Sequence, residues 1–159
     1  FGEIIKKHPD TILLIAGKTW QNNFTYYQHI IDKNNLTENI ILHNNFIPHN
    51  DVKYYYSAAD LVVLPYKKIY QSGVLMMTLS YQKIALVSDL SPLTEIIEDK
   101  VNGFIFKSED RDALINKIDD IFSEKYDLQN ISSKAKVMIK NEFDWQKIGS
   151  LTKKGYQNL

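Results

Sequence analysis

The sequence predicts an α/β fold, a doubly wound, mostly parallel and Rossmann-like sheet with a helical tail. Five short apolar runs do not alternate with polar residues: Ile12–Ile15, Ile40–Leu42, Leu61–Leu64, Ile84–Val87 and Phe104–Phe106. Continuous apolar strands are typical of parallel sheets covered on both faces. Segments with helical spacing lie between them, such as Phe24, Tyr27 and Ile31, or Val52, Tyr55, Tyr56 and Ala59. Strand and helix therefore alternate.

Local punctuation sets the expected boundaries. Phe1 to His8 reads as the end of a helix leading into the first strand, so the chain is expected to be a piece of something longer. Ser91-Pro92 supplies an N-cap and a first-turn proline for a helix running to about Glu98. Asn102-Gly103 turns the chain into the last strand. Ser108 is expected to cap a further helix, with Glu109, Asp110 and Asp112 in its first turn and Ile115, Ile118 and Phe122 on its buried face. Leu128, Ile131, Ala135 and Met138 keep helical spacing in the tail, whereas Gln146 to Tyr156 is too weakly periodic to assign. No repeat or Pro/Gly/Ser-rich linker divides the 159 residues, which are expected to form one domain.

Composition narrows the function classes. Lys plus Arg balance Asp plus Glu at 19 each, which provides no long-range field for nucleic acid. The absence of cysteine excludes disulfides and thiolate metal sites. His8, His29, His43 and His49 show no metal-ligand spacing, and Asp110-Arg111-Asp112 falls where a helix start favours acids. No apolar run reaches the roughly 18 residues of a membrane span. These features predict a soluble, cytoplasmic protein.

In an open α/β sheet, ligands bind beyond the carboxyl ends of the strands. The informative residues are therefore Gly17-Lys18, His43 to Pro48, Pro65 to Gly73 and Ser88 to Ser91. Gln71-Ser72-Gly73-Val74 suits an anion, because helix N-terminal amides point outward and glycine permits close approach. The plainer alternative is that Ser72 caps the helix and Gly73 relieves crowding. Of Tyr54-Tyr55-Tyr56, at least two are expected in the core; Lys67-Lys68 reads as a solvated loop or as cations for a phosphate. A phosphoacceptor signalling domain would need an acid at the end of the third strand, where Leu64 is followed by Pro65-Tyr66.

Four stretches in order, TILLIAGK, IILHNNFIPHNDVKYYYSAADLVVLPY, QSGVLMMTLSYQKIALVSD and PLTEIIEDKVNGFIFKSEDRDALINKI, resemble the C-terminal, donor-binding domain of GT-B glycosyltransferases of the group 1 or family 4 type. The resemblance covers almost the whole chain. It implies a parent enzyme that transfers a sugar from a nucleotide-sugar to a saccharide or lipid-linked acceptor, in bacterial surface polysaccharide synthesis for example, and peripheral to the inner face of the membrane in one reading. It implies no cofactor and no metal. Carried over by position, Ser72, Gly73 and Val74 would hold the donor diphosphate, Thr78 the ribose, and Phe46 and Ile47 the base. Tyr70, Gln71, Gly17 and Glu95 would lie at or near the donor sugar.

Two departures accompany the resemblance. The family's paired glutamates fall at Tyr70 and Thr78, neither acidic, and a threonine cannot make a carboxylate's bidentate contact with a ribose. The family's first strand, with its Arg and Lys for the leaving diphosphate, and its acceptor domain would precede Phe1. The chain alone is therefore expected to be inactive, no catalytic residue can be named in it, and a non-catalytic nucleotide- or partner-binding subunit is the rival reading.

Overall fold

Every one of the five apolar runs forms a strand in the computed structural model, which describes residues 1–19 and 24–157. The elements run α1 (Gly2–Lys7), β1 (Leu13–Ala16), α2 (Thr25–Lys33), β2 (Ile40–His43), α3 (Val52–Ala58), β3 (Leu61–Leu64) and α4 (Gly73–Ser80). They continue with β4 (Ile84–Ser88), α5 (Ser91–Thr94), β5 (Phe104–Phe106), α6 (Arg111–Phe122), α7 (Leu128–Glu142) and α8 (Trp145–Gln157). The chain divides into two compact units, Phe1–Ala58 with Arg111–Lys125, and Ala59–Asp110 with Tyr126–Leu159.

In the first unit β1 and β2 pair in parallel, from Leu13 opposite Ile40 to Ala16 opposite His43. Ile4, Ile31, Leu36 and Ile121 are its buried apolar side chains. α1 lies against α6. There the Asp119 carboxylate accepts from Lys7 Nζ at 2.7 Å and meets His8 Nε2 at 2.9 Å, while the His8 ring stands edge-on to Phe122 at 5.4 Å.

The second unit carries the larger sheet, β3-β4-β5, all parallel. β4 lies in the middle and every one of its residues is buried. Two-sided burial was the expectation for all the runs, yet β2 alternates and Ile41 is exposed. Apolar composition states which faces a strand could bury, and the elements packed on it decide which are. Leu64, Leu75, Leu79, Ala85, Val87, Leu93 and Ile97 form the core, closed by Ala135 of α7. At least two of Tyr54-Tyr55-Tyr56 were expected in the core, yet Tyr55 and Tyr56 are only partly buried and Tyr54 is exposed.

Helix ends differ from expectation. α5 stops at Thr94, where the Ile96 amide turns to Leu93 O at 3.1 Å, and further on the Glu98 amide donates to Asn102 Oδ1 at 2.8 Å. Leu90, not Ser91, occupies its N-cap; the Ser91 hydroxyl donates to Glu95 Oε1. Ser108 does not cap α6, which starts at Arg111: its hydroxyl donates to Tyr66 O, its amide to Asp89, and Glu109 adopts a positive φ. On α6 the buried residue is Ile121, with Ile115, Ile118 and Phe122 only partly covered. α7 follows its predicted spacing and buries Ile131 and Ala135. The unassigned tail segment is α8, started by the Asp144 carboxylate accepting from the Gln146 and Lys147 amides.

The Asp119 cluster ties stability to pH. Hydrogen bonds from Lys7 and then His8 hold the Asp119 carboxyl below the usual carboxylate range. A depressed folded-state value makes this contribution full above the unfolded carboxylate range and removes it as pH falls through the lower folded value. Asp119→Asn is therefore expected to melt below wild type at neutral pH, with the gap closing only in acid; melting temperatures of both proteins against pH check this, and a gap independent of pH would contradict it.

Candidate functional site

In the first unit, the carboxyl ends of β1 and β2 are laced together. The Gly17 amide donates to His43 O at 3.0 Å. Thr19 then donates through its amide and its hydroxyl to Asn44 Oδ1. Gly17 has φ 135°, a conformation that side-chain-bearing residues rarely adopt, so the glycine is required by the backbone there. The loop after β2 leaves Phe46 75% exposed and Ile47 partly covered. Asn45 Nδ2 donates to Phe46 O at 3.0 Å. His43, a polar residue at the strand end, is oriented by Tyr55, whose hydroxyl lies 2.8 Å from Nδ1 with the two rings edge to face.

In the second unit the residues after β3 and β4 lie at one edge of the sheet, because parallel strands share a direction. Ser72 is the N-cap of α4: its Oγ accepts from the Leu75 amide at 3.1 Å, and it is buried. The Met76 amide reaches back to Ser72 O at 3.3 Å. The first amides of a helix have no acceptor within it and carry the positive end of its dipole, so the Gly73 end of α4 favours an anion.

Gly73 distinguishes the two readings of this turn. A Cβ built there meets nothing within 4 Å, so no crowding is relieved by glycine. Its φ is not among the positive values, so the backbone does not need glycine either. Gly73 is exposed and faces open space at the amide end of the helix. Beside it Gln71 is exposed, Val74 is 43% exposed and Tyr70 is 85% exposed.

Thr78 does not fit the ribose role. It has no exposed surface, and its hydroxyl donates to Val74 O at 2.7 Å, one turn back along α4. The helical period places position 78 on the core face, together with Leu75 and Leu79. Glu95 is exposed and its carboxylate accepts from Ser91 Oγ at 2.8 Å. Lys67 pairs with Glu109 at 3.1 Å, so its charge is partly answered within the protein; both side chains are largely solvated.

The loop that delivers Ser72 is held by Ser88 and Ser108, which the sequence marks as a strand-end residue and as an expected helix cap but not as partners of this loop. Ser88 Oγ donates to Tyr66 O at 2.7 Å, and Ser108 Oγ donates to the same carbonyl at 3.2 Å. Ser88 is completely buried at the end of β4. The sequence places Ser88 among the strand-end residues, but it does not show the carbonyl that Ser88 holds. Among the described residues no three His, Cys, Asp or Glu side chains group as metal ligands, and no helix is long and apolar enough to cross a membrane.

Three comparisons bear on this arrangement. A family model described as "Glycosyl transferases group 1" matches residues 1–141. No curated protein sequence matches the chain. Among solved structures, sucrose-phosphate synthase from Thermosynechococcus elongatus superposes with TM-score 0.85 at 18% identity, over 99% of this chain and 40% of that one. Anabaena HepE in complex with UDP superposes with TM-score 0.86 at 18% identity, over 99% of this chain and 44% of that one. The C-terminal domain of a group 1 glycosyl transferase (LpcC) from Francisella tularensis gives 0.77 at 17% identity, over 91% of this chain and 75% of that one. The chain thus spans less than half the length of the first two.

The two glycines should respond oppositely to alanine. Gly17→Ala forces a Cβ into a left-handed backbone and is expected to cost about 1–3 kcal/mol. Gly73→Ala, unopposed by any neighbour and placed in a helix, is expected to be neutral or to stabilise by up to about 1 kcal/mol. Urea unfolding of both variants checks the contrast.

Proposed function

Given that the chain belongs to the group 1 glycosyl transferases, with the family model covering residues 1–141, we propose that it is the donor-binding domain of a sugar-transferring enzyme. The observation that carries this reading is Gly73, a glycine that neither packing nor backbone conformation requires, exposed at the amide end of α4. A donor diphosphate seated there meets the amides of Gly73 and Val74, and the Ser72 cap holds the turn open to it. Phe46 and Ile47 take the base through the loop after β2, and Gly17 lets the nucleotide pass close to the backbone. Tyr70, Gln71 and Glu95 face the sugar. The ribose contact falls to residues other than Thr78, whose hydroxyl is engaged within α4.

The parent enzyme, on this reading, transfers a hexosyl-type sugar to a saccharide or lipid-linked acceptor in surface polysaccharide synthesis, without a metal. It works in the cytoplasm, peripheral to the inner face of the membrane where the acceptor is lipid-linked. HepE structures hold UDP and UDP-glucose, which makes UDP the first nucleotide to test. One observation favours the rival, a nucleotide- or partner-binding subunit without chemistry: Tyr70 and Thr78 stand where the family carries two acids. On the rival reading the chain binds a nucleotide or a partner and carries out no chemistry.

A thermal-shift titration with UDP, GDP, ADP and their monophosphates tests the seat. Near 100 times the dissociation constant, one site adds about 2.7 kcal/mol to stability. The expected result is a shift with one diphosphate, smaller with its monophosphate and absent in Gly73→Asp. That variant has room for its side chain, and an acid in a helix's first turn suits the dipole, so it should fold while repelling phosphate. An equal shift in wild type and Gly73→Asp would remove the diphosphate from this turn.

A further inference from the structure

The carbonyl of Tyr66 collects two hydroxyl donors that are far apart in sequence. Ser88 Oγ reaches it at 2.7 Å from the end of β4, and lies 3.4 Å from Leu64 O. Ser108 Oγ reaches it at 3.2 Å from the loop after β5. Ser108 is itself placed by β4's continuation: its amide donates to Asp89 Oδ1 at 2.6 Å, while the Asp89 amide donates to Phe106 O at 2.9 Å. The ends of three parallel strands are thus joined at one carbonyl.

That carbonyl opens the segment 65–72, which ends in the Ser72 cap. Ile69 packs against the core, and Tyr66 packs there as well. Lys67, Lys68, Tyr70 and Gln71 are exposed and contribute nothing to that core. Their positions therefore follow from the anchors at either end, from Ile69 between them and, for Lys67, from its pair with Glu109. Within β4, Ile84 to Val87 are apolar, and packing alone would be served by alanine at the next position. A buried hydroxyl is costly to leave without a partner. Here it meets the segment that carries the anion seat, and a carbonyl oxygen has two lone pairs, so Ser88 and Ser108 together fill it.

We propose that Ser88 and Ser108 are positioning residues for the donor site: by sharing Tyr66 O they fix the path of residues 67–71, and so the approach to Ser72, Gly73 and Val74. The consequence for affinity rests on the nucleotide-binding reading above; the consequence for the loop does not. Side chains that bind ligands need a rigid support to keep their geometry, and here the buried central strand supplies it.

The test uses Ser88→Ala, Ser108→Ala and Ser108→Thr, with Ser123→Ala as a matched loss of a hydroxyl in the other unit. Amide hydrogen exchange at residues 67–71 is followed without ligand, and UDP binding is measured by calorimetry at a temperature where circular dichroism shows each variant folded. The expected result is several-fold faster exchange in both alanine variants and roughly tenfold weaker UDP binding, with wild-type behaviour in Ser108→Thr and Ser123→Ala. Lower melting temperatures with exchange at 67–71 and UDP affinity unchanged would reduce both serines to a stabilising role and overturn the proposal. If wild type binds neither UDP nor GDP or ADP, the nucleotide reading fails for this chain, while exchange at 67–71 still decides whether the serines order the loop. Should Ser88→Ala fail to fold, the Ser108→Ala and Ser108→Thr pair decides it.

Discussion

β4 lies between β3 and β5 with all of its residues buried, and because the three strands are parallel no two of them can be joined by a tight turn. The chain must leave each strand at its carboxyl end, cross back through a helix, and re-enter from the other side. Every connection that follows a strand therefore emerges at the same edge of this sheet. Ser72 and Gly73 after β3, Asp89 and Glu95 after β4, and Ser108 after β5 share that edge for this reason. The location of a site in this unit is a consequence of strand direction, and its chemistry is a matter of which residues the loops bring.

Those loops combine a stiff base with an open rim. Ser88, Ser108, Asp89 and Tyr66 O form the base, all of them linked by hydrogen bonds to strand ends. Tyr70, Gln71 and Gly73 form the rim and are solvent-facing. At this rim the first amides of α4 carry the positive end of the helix dipole. The neighbouring Lys67 is paired with Glu109, so side-chain charge adds less than the sequence alone suggests.

The glycines of the chain serve different physical ends. Gly17 answers a backbone demand, a φ of 135°. Gly103 answers a steric one, since a Cβ there would lie 3.1 Å from Ala85 O and from two atoms of Ile97. Gly73 answers neither, although glycine weakens a helix by about 1 kcal/mol relative to alanine. A residue that disfavours its own helix without benefit to packing is best understood through something that approaches from outside.

The amino-acid sequence by itself determined the five strands, their parallel class and α7. Each of these depends on apolar runs and spacings a few residues long, which local physics reads directly. Tertiary structure decided where α6 begins, because the partner that takes the Ser108 hydroxyl is Tyr66, 42 residues away. It also decided that Thr78 turns inward and that Gly73 faces open space. Sequence shows which residues lie near a helix start, but only packing shows which face of the helix the core covers. Ser88 was legible only as a strand-end residue for the same reason: a serine after four apolar residues gains its partner from a carbonyl 22 positions earlier, brought beside it by the pairing of β3 with β4.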